Sequence, residues 1–101
     1  MDIKFEGRNV ELGDELRERI QKRMEAMDRR FGPVTHARVS VQKNAHKNEG
    51  RAEVTAVVNV SGTTLTAKRE SATVVAAVND ALETLDLELQ HFTEKHKEHR
   101  R

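Results

Sequence analysis

The chain has 101 residues, with 18 Lys and Arg against 17 Asp and Glu, and it contains no cysteine. That length supports one domain with a single core, and the lack of cysteine excludes a disulfide framework, a thiol nucleophile and a cysteine-based zinc site. Charged residues make up 35% and hydrophobic ones 36%, and no apolar run approaches the roughly 18 residues of a membrane span. The opening Met1-Asp2-Ile3-Lys4-Phe5 lacks the apolar stretch of a signal peptide. The expectation is a soluble cytoplasmic protein with no membrane partner. A net charge of +1 is not the overall excess of a general nucleic-acid binder, so the distribution of charge carries more information than its sum. Residues 70–94 contain Glu70, Asp80, Glu83, Asp86, Glu88 and Glu94 and no Lys or Arg, whereas residues 95–101 set Lys95, Lys97, Arg100 and Arg101 against Glu98.

Ile3 and Phe5 alternate with polar residues before Gly7, which predicts a short strand over 2–7. Asp14 to Phe31 reads as an amphipathic helix with its stripe at Leu16, Ile20, Met24, Met27 and Phe31. Gly13 is a weak N-cap. Asp14 and Glu15 suit the positive end of the helix dipole, and Arg29 and Arg30 suit the negative end. Gly32-Pro33 ends the helix. Val34 to Gln42 reads as a strand that sends Ala37, Val39 and Val41 one way and Arg38, Ser40 and Gln42 the other. Asn44 to Gly50 is polar and predicts a hairpin loop. Arg51 to Val60 alternates throughout, with Ala52, Val54, Ala56, Val58 and Val60 on one side. Ser61-Gly62 predicts a tight turn into a fourth strand whose Leu65 and Ala67 face the core. A long helix follows from about Ala72 to His96. Its stripe is Val75, Val78, Leu82, Leu85, Leu89 and Phe92, and Ser71 is the predicted N-cap.

The order β-α-β-β-β-α predicts an α+β two-layer sandwich. The first two strands, joined across a helix, are expected to be parallel with a right-handed crossover. The last three form an antiparallel meander, and both helices cover the one apolar face of a four-stranded sheet. The opposite face is then open and polar, carrying Lys4, Arg38, Ser40, Gln42, Glu53, Thr55, Asn59 and Lys68. Residues 1–96 are expected to form the single domain and 97–101 a basic tail.

The chain resembles the ribosome hibernation promoting factors and the YfiA-type ribosome-associated inhibitors, also called sigma-54 modulation proteins. The resemblance is carried by Ile3-Lys4-Phe5-Glu6-Gly7-Arg8-Asn9-Val10-Glu11-Leu12 leading into Leu16-Arg17-Glu18-Arg19-Ile20. Val39-Ser40-Val41 and Ala76-Ala77-Val78-Asn79-Asp80-Ala81-Leu82 add to it. The match is to the short form, without a C-terminal dimerisation domain. It implies a fold similar to a double-stranded-RNA-binding domain. It also implies a protein that sits on the small ribosomal subunit, in the channel of mRNA and tRNA, and inhibits translation under stress. The sequence departs from the family in its last helix. Thr73-Val74-Val75 stands where the family usually has an acidic residue, Met and Tyr. Thr84-Leu85-Asp86-Leu87-Glu88-Leu89 stands where it has Lys-Leu-Glu-Arg-Gln-Leu. Cations expected to face rRNA are thereby removed and acids added.

Binding of this kind rests on Lys and Arg neutralising phosphates and on recognition of RNA by shape. The candidate rRNA-binding residues are Arg17, Lys22, Arg23, Arg29 and Arg30 on the first helix, and Lys43 and Lys47 at the hairpin. Lys68 and Arg69 on the fourth strand and Lys95, Lys97, Arg100 and Arg101 at the C-terminal end complete the set. Each also fits the plain role of a solubilising charge: Glu18 and Lys22 have the spacing of a helical ion pair, and Arg29-Arg30 complements the dipole. His96 and His99 have the i,i+3 spacing of metal ligands, with His91 nearby, but no acid or cysteine is fixed beside them, so they read as solvated helix-end histidines. Asp80, Glu83 and Glu88 read as solvated carboxylates rather than an acid–base set. Ser40, Ser61 and Ser71 have no base and orienting acid, and no phosphate-binding glycine loop occurs. No enzyme, cofactor, metal or small-molecule substrate is expected. The alternative is a diverged interaction module of the same fold that has lost rRNA binding and forms a homodimer or docks on a protein, with Leu87 exposed on the last helix and Val57 pointing to the open face of the sheet.

Overall fold

Strand alternation and helical periodicity resolve into six elements: β1 (Asp2–Arg8), α1 (Asp14–Phe31), β2 (Val34–Lys43), β3 (Ala52–Val60), β4 (Thr63–Ser71) and α2 (Val74–Glu98). The computed structural model describes residues 2–43, 51–60 and 62–98, with residues 93–98 by backbone alone. The strands form one sheet in the order β1-β2-β3-β4. β1 and β2 are parallel and the other neighbours antiparallel, as the chain order predicts.

Why one face is apolar follows from the register. Val34, Ala37, Val39 and Val41 of β2 join Ala52, Val54, Ala56, Val58 and Val60 of β3 and Ala67 of β4 in a single buried cluster. Ile20, Met24 and Met27 of α1 and Ala77, Val78, Ala81, Leu82, Leu85 and Leu89 of α2 complete it. Both helices therefore lie on the same side of the sheet, because only that side offers apolar area to remove from water. Across the other side, cross-strand rows read Lys4–Arg38–Val57–Thr66 and Glu6–Ser40–Thr55–Lys68.

The connections have local causes. Ideal Cβ geometry at Gly7 collides with the Val10 carbonyl oxygen, so the chain can fold back from β1 into α1 only if that position carries no side chain. Val60 pairs with Thr63, and Gly62 between them has φ 82°, a left-handed conformation natural to glycine. At the end of α1, the Gly32 N–H donates to the Asp28 carbonyl. The Asp28 carboxylate accepts a 2.7 Å hydrogen bond from the Val34 N–H, which ties the start of β2 to the last turn of α1.

Two expectations for α2 need correction. Ser71 is the last residue of β4, not a cap. The cap is Thr73, whose hydroxyl accepts a 3.1 Å hydrogen bond from the Ala76 N–H, so the helix begins at Val74 rather than Ala72. Val75 is not in the core stripe either: it is 49% exposed, while Ala77 and Ala81 are fully buried. Ala77 and Ala81 share the buried arc with Val78, Leu82, Leu85 and Leu89, and this arc lies to the side of Val75. Leu87 is exposed as expected.

Candidate nucleic-acid interface

On a helix, residues three and four apart share a face. In α1 the core takes Ile20, Met24 and Met27. That places Arg19, Lys22, Arg23 and Arg30 along one flank, with Ala26 between them and Arg29 beside them. From Arg19 to Arg30 this basic flank extends about 16 Å at 1.5 Å per residue. Two of its residues reach α2: Arg19 Nη1 lies 3.4 Å from Asn79 Oδ1, and Arg23 Nη2 lies 2.8 Å from Asp86 Oδ2. The two contacts advance in the same direction along both helices, so α1 and α2 run parallel. Between their first turns an open groove of ≈ 570 Å³ is lined by Leu16, Arg19, Lys22, Arg23 and Val75, with Glu15 and Glu18 at its side.

The candidate cations do not all gather here. Arg17 is on the far flank of α1, where its Nε donates to the Leu12 carbonyl at 3.1 Å and its guanidinium lies 5.6 Å from the centre of the Phe5 ring. Arg30 stacks at 4.8 Å over Phe31 and stays exposed. Lys43 ends β2. Lys68 and Arg69 are adjacent in β4 and therefore point to opposite faces. Lys68 projects from the open face, where its Nζ lies 3.4 Å from Glu53 Oε1. Lys95 and Lys97 fall in the last turns of the α2 backbone. Lys47, Arg100 and Arg101 lie outside the described residues, as do the 44–50 hairpin and His99. His91 is exposed, and no group of three metal-ligating side chains forms among the described residues.

Counterion release requires cations that are not already neutralised. Among the described residues the ion pairs are Arg23–Asp86, Arg51–Glu70 and Lys68–Glu53. Glu18 and Lys22 form no such pair in spite of their spacing. Lys22, Arg29 and Arg30 are exposed and face no described carboxylate at ion-pair distance. Arg19 belongs with them and was not among the sequence candidates. Its signal was present in the spacing 19, 22, 23, 26 and 30, which is as regular as the core stripe.

Residues 3–97 match the family described as Sigma 54 modulation protein / S30EA ribosomal protein. The chain belongs to that family. A curated relative, the ribosome hibernation promotion factor of Deinococcus radiodurans, is 30% identical over 95 residues. The match takes in 93% of this chain and 50% of the relative, so the chain spans about half the length of that protein. Among solved structures, the N-terminal domain of Protein Y from Thermus thermophilus aligns with a TM-score of 0.77 at 26% identity, covering 91% of this chain and 99% of that one. A ribosomal subunit interface protein from Coxiella burnetii has the same fold, with a TM-score of 0.73 at 23% identity over 91% of this chain and 97% of that one.

Within this S30EA fold the departures in α2 take on a geometry. Thr84 turns back on its own helix, its hydroxyl donating to the Asp80 carbonyl at 2.8 Å. Leu87 is 52% exposed. Of the three carboxylates expected to be solvated, Glu83 is exposed, whereas Asp80 and Glu88 are half-buried. Asp86, which stands where the family already has an acid, pairs with Arg23 and removes one cation from the flank that α1 presents.

Proposed function

We propose that this chain is a ribosome-associated hibernation factor that binds small-subunit rRNA in the channel of mRNA and tRNA and silences translation under stress. It acts by occupancy rather than catalysis, with no cofactor and no small-molecule substrate, in the cytoplasm where ribosomes are. Membership of the S30EA family supports the reading, as do relatives described as a ribosome hibernation promotion factor and a ribosomal subunit interface protein. The observation that carries it is the basic flank of α1: Arg19, Lys22, Arg29 and Arg30 lie along one side of a rigid helix without carboxylate partners among the described residues. Cations that are not already neutralised are the ones that can replace counterions on phosphates. Lys43, Lys47, Lys68, Arg69, Lys95, Lys97, Arg100 and Arg101 remain proposed as further rRNA contacts. Co-sedimentation with purified small subunits at two salt concentrations tests this. Binding at low salt that weakens steeply as salt rises is expected, and no binding at low salt rejects it.

Two observations favour a second reading, that of a protein-interaction module. Asp86 already satisfies Arg23, and Val75 sits exposed at the groove mouth. Under that reading the chain binds a protein at this groove and leaves ribosomes untouched at any salt.

A further inference from the structure

β1 lies at one margin of the sheet, pairing with β2 on one side and with no described strand on the other. A margin of unpaired N–H and C=O groups is a template for a further strand unless something prevents it. Charge is the usual preventive, and β1 is charged. Yet its open-face residues alternate in sign: Asp2, Lys4, Glu6, Arg8. We propose that β1 pairs antiparallel with β1 of a second copy of this chain, in the register centred on Phe5.

In that register Lys4 opposes Glu6 of the second copy and Asp2 opposes Arg8 of the second copy, and twofold symmetry repeats both pairs. On the helix-bearing face Phe5 meets Phe5 and Ile3 meets Gly7. A twofold axis perpendicular to the sheet keeps like faces together, so the register moves in steps of two residues. Centring on Lys4 instead would set Lys4 against itself and Asp2 against Glu6. Centring on Glu6 would set Glu6 against itself and Lys4 against Arg8. The alternation thus favours the register centred on Phe5, which makes four opposite-charge pairs, repels its immediate neighbours, and leaves two such pairs to a register centred on Ile3 or Gly7; charge patterns encode partner choice in this way.

Two features of the isolated chain point the same way. Lys4 lies directly across from Arg38 of β2, and like charges in that relation are unfavourable. No described carboxylate makes an ion pair with either. Glu6 of the second copy would supply one beside Lys4. At the other margin, the β4 register that sets Lys68 against Glu70 is centred on Arg69 and opposes Arg69 to itself, and Lys68 and Glu70 are already paired with Glu53 and Arg51. Self-pairing of β4 about Ala67 opposes Thr66 to Lys68 and Leu65 to Arg69, and Lys68 is already held by Glu53. With seven residues per strand, the β1 contact is small for a stable interface, so association is weak and concentration-dependent.

The test is sedimentation velocity of the full chain at low salt, from low-micromolar to near-millimolar concentration. The wild type is expected to shift from monomer to dimer. Lys4→Glu and Glu6→Lys each turn two attractive pairs into repulsive ones and weaken self-association roughly ten- to thirtyfold. An equal mixture of the two single variants restores association as a heterodimer, and the double swap restores it within one chain. Circular dichroism confirms that each variant is folded, since all these side chains are on the surface. A wild type that stays monomeric throughout overturns the proposal. So does a dimer untouched by both single variants, or a loss that neither the mixture nor the double swap repairs. Ribosome binding is not read in any arm, so the outcome is independent of the function proposed above.

Discussion

Replacing Lys22 and Arg29 together by alanine should halve the electrostatic footprint of α1 without disturbing the fold. Both side chains are exposed, neither pairs with a described carboxylate, and neither enters the core. Alanine also has the highest helix propensity, so stability should change by less than about 0.5 kcal/mol. Four flank cations without carboxylate partners, Arg19, Lys22, Arg29 and Arg30, give a salt slope of about −2.8 to −3.6 in log K against log salt, taking about 0.7 to 0.9 per neutralised phosphate. Between about 50 and 200 mM salt this is a loss of about 50- to 150-fold in affinity. With two of the four gone the loss over the same range falls to about 7- to 12-fold. If residues outside the flank also touch phosphate, both slopes steepen equally, and their difference stays near 1.4 to 1.8. The assay is a titration of labelled small subunits with wild type and double variant at several salt concentrations. Parallel lines for the two proteins would refute the assignment of rRNA contacts to this flank.

Asp86→Asn should release Arg23 toward the solvent-facing flank. The expected result is tighter ribosome binding with a slope steeper by about 0.7 to 0.9, at a stability cost within about 1 kcal/mol because the pair is partly exposed. Unchanged binding would show that Arg23 does not reach RNA. Thr73→Ala removes the hydroxyl that caps α2 and should lower stability in urea by about 0.5–2 kcal/mol, whereas Ser71→Ala should have little effect; the reverse order would restore Ser71 as the cap. Leu85→Ala opens a cavity at a fully buried site between α2 and the sheet and should cost about 2–5 kcal/mol in the same assay. Gly7→Ala should destabilise by about 1–3 kcal/mol, because the added methyl meets the Val10 carbonyl oxygen; a neutral result would mean that the β1–α1 connection shifts freely.

Much of the fold is legible along the chain because it is written in short-range periods. Alternation in Ala52–Val60 and the four-and-three spacing of Ile20, Met24 and Met27 report burial whatever the rest of the chain does. The misreadings come where two local signals compete. Val75 fits a stripe drawn through the large apolar residues, but the buried arc is centred further round the helix, where it takes in Ala77 and Ala81. Ser71 and Thr73 are both good caps by composition, and the length of β4 selects the second.

The sequence alone was enough to establish the six elements, the parallel first pair, the shared apolar face and the family resemblance, because each depends on patterns repeated within a few residues. Only the tertiary structure decided which cations act together. Arg23 and Asp86 are 63 positions apart, and nothing local to either predicts that packing α1 beside α2 will neutralise them. Lys68 and Arg69 are neighbours in the chain yet stand on opposite faces of the sheet. Arg19, Lys22 and Arg30 are spread over three turns yet form one row. Charge acts through space and falls off with distance, so a binding surface is a property of folded proximity rather than of order along the polypeptide.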